Sequence, residues 1–198
     1  MTAPSRLRLA IVALIVSVAA ASAAPAEIAA PAEIAAPAEI AAPAEIEGYR
    51  LDAYQAPVPE TLMGRPALSF AEARALFEEN ILFIDVLPHA PRPEGLAPDA
   101  VWLDKPHISI KGAHWLPEVG RGEISAETEG YFKRALARLT DGDLARKMVF
   151  FCKRACWMSW NAAKRAQSFG YTHVLWFADG VEGWREADGP METVTPDP

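Results

Sequence analysis

Cysteine is nearly absent: the 198 residues contain two, Cys152 and Cys156, and both stand in one short stretch. Two cysteines are too few for a disulfide scaffold, so the fold must rest on a packed core, leaving the thiols free for a bridge or for chemistry. Histidine is scarce as well. His89, His107, His114 and His173 are scattered without ligand spacing, so a metal site joining His114 to the thiols is disfavoured, and neither metal nor cofactor is expected. The sequence has no Gly-rich phosphate loop, no Gly-x-Ser-x-Gly elbow and no paired catalytic carboxylates. Positive charge is in deficit, with 19 Lys and Arg against 26 Asp and Glu for a net charge of -7, so the basic footprint of a nucleic-acid binder is missing. The N-terminal apolar run, Leu9 to Ala21, falls short of the ~20 residues of a membrane span.

That run is instead flanked as a secretory leader is: Arg6 and Arg8 precede it, and the small residues Ala21-Ser22-Ala23 follow. A signal peptide over 1–23, cleaved after Ala23, is expected, with export to a bacterial periplasm and no stable membrane span afterwards; a retained anchor is the alternative. Next, the hexapeptide Ala-Ala-Pro-Ala-Glu-Ile occurs four times from Ala23 to Ile46. A Pro in every unit forbids a continuous helix, and one Ile per unit cannot sustain a core, so a disordered linker is expected. It continues through an irregular lead-in that wraps the domain surface, the two together covering 24–65.

The domain proper is expected over 66–190, with a frayed tail over 191–198. Ser69-Phe70-Ala71-Glu72 reads as a capping box opening a helix to about Glu79. Ile81 to Val86 is a near-continuous apolar run, as a buried parallel strand would be. The Pro-rich stretch Leu87 to Pro106 is a loop, and Ile108 to Trp115 a short strand or turn. Ser125 caps a helix over about Ala126 to Leu139. Val149 to Phe151 forms a central strand, a helix follows from about Ser159 to Phe169, then a strand at Val174 to Phe177 and a short helix from Gly180. Alternating strands and helices predict an α/β fold with a mostly parallel central sheet and helices on both faces.

Chemistry concentrates between Met148 and Arg165. There a strand ends on Cys152, a basic loop carries Lys153 and Arg154, and a helix begins. Backbone N–H groups of such a loop and the positive helix end favour an anion or thiolate, so Cys152 is expected to have a lowered pKa and raised nucleophilicity. The alternative is an inert buried cysteine. Cys156 lies close enough in sequence for a reversible redox pair or a permanent bridge. Lys153 and Arg154 either support the thiolate and meet an anionic substrate or are solvated loop charge. Trp157 and Trp160 form an aromatic lip for a ligand or partner, or pack a helix face. Asp85 hydrogen-bonds near the site, or simply ends its strand.

In order and spacing, these pieces resemble the rhodanese-like domains: Ile84-Asp85-Val86, Ile110-Lys111-Gly112-Ala113-His114-Trp115-Leu116-Pro117, the strand ending in Cys152, Ala162-Ala163, and Asp179-Gly180-Val181-Glu182-Gly183-Trp184. The run from Cys152 through Cys156-Trp157 looks like an exported subgroup named for a Cys...Cys-Trp motif and associated with pyrroloquinoline-quinone (PQQ)-dependent alcohol catabolism. The resemblance implies a rhodanese-like fold, a persulfide carried on the residue at Cys152, and sulfurtransferase or thiol–disulfide exchange activity on a small sulfur compound or protein thiol. It also implies a periplasmic accessory role beside a PQQ-dependent dehydrogenase or cytochrome c, in which a non-catalytic binding module is the alternative. The chain departs from the sulfurtransferase pattern: the loop is one residue longer, Met158 stands where the phosphatase-like branch has Arg, Leu87 replaces the usual Arg after Asp-Val, and Cys156 is extra.

Overall fold

A computed structural model describes residues 41–90, 94–97, 99–101 and 106–198. The expected leader and the first three repeat units lie outside the described residues, and the described residues form one unit. At its start a two-stranded ribbon pairs β1 (Thr61–Leu62) with β2 (Arg65–Pro66) antiparallel. Met63 and Gly64 make the turn, both in the left-handed region at φ 51° and 74°.

Helix α1 (Phe70–Glu78) begins where its sequence says. Ser69 accepts from the Glu72 N–H, and the Glu72 carboxylate accepts from the Ser69 N–H, a reciprocal cap that removes two orphan donors. Strand β3 (Leu82–Asp85) follows. The expected strand or turn around Ile108 to Trp115 resolves into two strands, β4 (His107–Ile110) and β5 (His114–Trp115), parted by a turn at Gly112. Then come α2 (Ala126–Leu139), capped by Ser125, and β6 (Met148–Phe151). Helix α3 (Trp157–Ser168), β7 (Val174–Phe177), α4 (Gly180–Glu186) and β8 (Met191–Val194) complete the order.

Strands β5, β3, β6 and β7 form one sheet in that order, every pairing parallel. The two-residue side-chain period of a strand splits its residues between two cores. Ile84, Met148, Phe150, Val174 and Trp176 pack with Phe132, Ala135 and Leu136 of α2 and with α3 on one face. Phe83, Val149, Phe151 and Phe177 pack with Ala73 of α1 and with Val181 and Trp184 of α4 on the other. The α/β architecture with a parallel central sheet and helices on both faces is therefore the one expected. All four residues of β6 are buried, which is why that stretch reads as unbroken apolar sequence. Each large side chain there contributes about 1.5–3 kcal/mol of transfer free energy at most.

Two expectations need correction. Residues 191–194 are not frayed: β8 pairs antiparallel with β4, and the Asp197 N–H donates to the Trp115 carbonyl. Alternating short strands are weak signals, and the partner strand lay some eighty residues back. The second concerns α3, which starts at Trp157 rather than at Ser159. Cys156 occupies the N-cap with extended backbone, φ -108° and ψ 111°, while Ser159 is buried inside the first turn and donates from Oγ to the Cys156 carbonyl. A serine that bonds back to its own helix imitates a cap in sequence.

Candidate thiol site

Strand β6 delivers Cys152 to the carboxyl end of the sheet, where parallel α/β folds gather their functional groups. The three-residue loop Lys153-Arg154-Ala155 then turns back to place Cys156 at the head of α3, with Ala155 in the left-handed region at φ 51°. The two Sγ atoms are 2.8 Å apart and unbridged, and the Cys152 thiol donates to the Cys156 sulfur. Cys152 is fully buried and Cys156 is 5% exposed.

The two thiols are opposites electrostatically. Burial pushes the Cys152 thiol well above its ordinary range, reinforced by the hydrogen bond to Cys156, by charge on Cys156 and by the Asp85 carboxylate. Cys156 is held below the ordinary value, first because the Cys152 thiol donates to its sulfur; against the cost of burial, the nearby backbone N–H groups of Met158, Ser159 and Lys153 add attraction, although none of them closes a capping hydrogen bond on the sulfur. The expectation of a lowered pKa at Cys152 is thus corrected. The N-terminal end of α3, with its positive dipole, begins at Cys156 and not at Cys152, one loop further on than expected.

The loop is clamped from two sides. From α4, the Val181 N–H donates to the Cys152 carbonyl at 2.9 Å, and the Ala155 N–H donates to the Ala178 carbonyl. Gly180 is required there, because a Cβ on it would sit 2.2 Å from the Cys152 carbonyl oxygen and its φ is +54°. From the lead-in, Tyr54-Gln55-Ala56 crosses the loop as a strap. The Trp157 N–H donates to the Tyr54 carbonyl, the Ala56 N–H to the Ala155 carbonyl, and the Gln55 amide to the Arg154 carbonyl.

The other candidate residues divide. Lys153 is exposed beside the thiols. Arg154 is engaged elsewhere: its guanidinium holds Glu186 at 3.0 and 2.6 Å and Asp179 at 3.7 Å, and its N–H donates to Glu182. Trp157 and Trp160 are 2% and 0% exposed, so neither offers an aromatic lip to an external ligand. They bind the lead-in instead, with indole N–H groups donating to the Pro57 and Thr61 carbonyls. Asp85 is fully buried and its carboxylate accepts from Ser109 Oγ at 2.5 Å, from the Leu87 N–H at 2.9 Å, and from His107 Nε2 at 2.8 Å.

Sequence reasoning missed His107 and Ser109; it expected the lead-in to wrap the domain surface, as the strap does, but not to cross the thiol loop. The signal for the two residues was the i, i+2 spacing of two polar residues on one strand face, unusual beside buried Ile110. His114, weighed as a ligand, instead sits 2.9 Å from Asp197. A cleft of about 650 Å³, lined in part by Leu82, Lys111, His114 and Arg146, opens at the start of β3 and does not include the thiols.

No protein-family model matches the chain, and no curated protein is significantly similar to it. Among solved structures, the chain is similar to a human single-domain sulfurtransferase at 24% identity, over 62% of this chain and 97% of that one, with a TM-score of 0.39. It is similar to a rhodanese-like domain from Anabaena at 18% identity, over 68% of this chain and 86% of that one, with a TM-score of 0.44. A thiosulfate sulfurtransferase from Pseudomonas aeruginosa matches at 19% identity over 66% of this chain and 21% of that one, with a TM-score of 0.42. Likenesses this distant carry no argument about activity here.

Proposed function

We propose that this chain is a rhodanese-like protein carrying out sulfur transfer or thiol–disulfide exchange at the Cys152/Cys156 pair, with Cys156 as the attacking thiolate and Cys152 as the resolving thiol. The observation that carries this reading is the sulfur pair at 2.8 Å, in which Cys156, at the N-cap of α3, accepts from the Cys152 thiol. The resemblance implied a persulfide on Cys152, and the sequence alone favours Cys152 as attacker with Cys156 resolving; the roles are reversed here because the better-stabilised and less buried thiolate is Cys156.

In exchange, the Cys156 thiolate attacks one sulfur of a disulfide R–S–S–R′, forming Cys156–S–S–R and expelling R′–S⁻. Cys152 then attacks Cys156 Sγ, its proton passing to the departing sulfur, which leaves as R–SH, and the internal disulfide remains. Substrate is reduced by two electrons and the pair oxidised by two. With thiosulfate, attack on the outer sulfur expels sulfite and leaves a persulfide on Cys156; attack by Cys152 then releases hydrosulfide. Lys153 stands exposed at the loop, where a positive charge would favour an anionic substrate.

Cys156→Ser is expected to abolish thiosulfate cleavage and disulfide reduction, while Cys152→Ser stalls at a persulfide or mixed disulfide on Cys156, visible by intact mass. Full activity in Cys156→Ser would sink the assignment. The compartment and context belong to the same proposal. The Arg6/Arg8 leader supports export to the periplasm, and the Cys...Cys-Trp motif supports work beside a PQQ-dependent dehydrogenase or its cytochrome c carrier. Cell fractionation of the native host, and loss of growth on alcohols after deletion, test these. With both indoles turned inward, a purely accessory module would need a different docking surface.

A further inference from the structure

The fourth repeat unit is seated on the domain. The Glu45 carboxylate accepts from the Met63 and Gly64 N–H groups, each at 2.9 Å, and from the Thr61 hydroxyl. Those two successive N–H groups point the same way because both turn residues have positive φ, which makes the β1–β2 turn a small anion nest. Burial opposes ionisation of Glu45, yet the hydrogen bonds from Thr61, Gly64 and Met63 hold its carboxyl below the ordinary value, with Lys164 adding attraction. Ile46 packs against the core that contains Leu62 and Trp160, and its carbonyl accepts from Lys164 Nζ at 2.7 Å. Acid, aliphatic side chain and carbonyl are thus each read by a separate group.

Nothing in that recognition is specific to position 45. Glu27-Ile28, Glu33-Ile34 and Glu39-Ile40 stand in the same hexapeptide. We infer that the Thr61–Gly64 turn with Lys164 is a receptor for the Ala-Pro-Ala-Glu-Ile unit, and that its further partner is a second copy of this chain, which presents the same unit in trans.

Each chain carries one receptor and four equivalent units, so exchange of a unit between copies loses no contact while linking two chains. Glu45 lies 16 residues from Thr61, and the segment between them is tied to the domain at Arg50, Tyr54 and Ala56, so the chain's own unit is held beside the receptor. Docking in trans therefore emerges at high local concentration or when the resident carboxylate is removed.

The test uses the full chain carrying Glu27→Gln, Glu33→Gln, Glu39→Gln and Glu45→Gln, titrated by calorimetry with the capped hexapeptide Ala-Ala-Pro-Ala-Glu-Ile-amide. Saturable binding is expected, about tenfold weaker for the peptide with Gln in place of Glu, since an amide cannot replace charge-assisted acceptance from two N–H donors and a hydroxyl. The four-Gln chain should also form a complex with the wild-type chain that the hexapeptide dissolves. As a measurement independent of that variant's folding, excess hexapeptide carrying an N-terminal nitroxide and added to the wild-type chain should broaden the Met63 and Gly64 amide resonances. Absence of that broadening, or equal binding of the Glu and Gln peptides, overturns the inference.

Discussion

His107 Nε2 lies 2.8 Å from Asp85 Oδ2, with the histidine ring packed at a 40° tilt against Trp115 at a centroid distance of 4.3 Å. The pair ties the end of β3 to the separate β4–β8 ribbon, beside the strand that ends in Cys152. Replacing Asp85 by Ala would leave Ser109, His107 and the Leu87 N–H without their acceptor in a buried site. A loss of about 3 kcal/mol in urea unfolding is expected. Asp85→Asn, which keeps one acceptor oxygen, should lose less; a loss equal to that of Ala would show that one neutral acceptor restores nothing, and no loss at all would show that the carboxylate's charge and second oxygen are irrelevant.

The thiol pair should release its two protons far apart. Coupled groups titrate as a pair: the first proton leaves below the ordinary cysteine value, centred on Cys156, and the second stays on Cys152 well into alkaline pH. A folded pKa below the unfolded one adds stability that is present above the unfolded value and lost as pH falls through the folded value. Cys152 works the other way, its contribution complete below the unfolded value and lost as pH climbs toward the folded one. Thiolate absorbance of the reduced protein followed against pH checks this, and two thiols titrating together at the ordinary value would contradict it.

Gly180→Ala should be costly for its size. Left-handed backbone and a Cβ 2.2 Å from the Cys152 carbonyl oxygen act together, and about 2–4 kcal/mol of destabilisation is expected in chemical denaturation. Gly142→Ala, also at positive φ but with open space around it, should cost about 1 kcal/mol, which separates crowding at the thiol loop from backbone strain alone.

The strap can be loosened without touching either thiol. Ala56→Pro removes the N–H that donates to the Ala155 carbonyl. Alkylation of Cys156 at neutral pH should speed up several-fold while the melting temperature moves by only a few degrees, since one strained or missing hydrogen bond is worth about 1 kcal/mol. An unchanged alkylation rate would mean that the strap does not govern access.

The layered core was legible because its strands are short apolar runs bounded by turn residues, and because Ser69 and Ser125 cap their helices in the expected way. The site was legible as a place, at the loop between Cys152 and Cys156, but not as a distribution of roles. Which thiol stands at the N-terminus of α3 depends on where the helix starts, and Ser159 masks that start by sitting inside the first turn. Trp157 and Trp160 could not be assigned from pattern, because a helix whose every face is covered shows no amphipathic stripe, and the cover comes from residues about a hundred positions away. His107 and Ser109 were hidden for a similar reason, since only the tertiary fold sets β4 against Asp85.

Helix α3 is held at both ends. Near its C-terminus the buried Arg165 guanidinium donates to the carbonyls of Val119, Arg121 and Gly122, and Asn161 one turn earlier is tied to Gly120 and Arg50. At its N-terminus Trp157 is tied to Tyr54 and Pro57. In mechanical terms the helix is a stiff post that cannot recoil when a substrate presses on Cys156. The compliance of the site resides in the extended segment across its mouth, so the rate at which a bulky substrate engages should follow that segment's peeling and not any motion of the sheet.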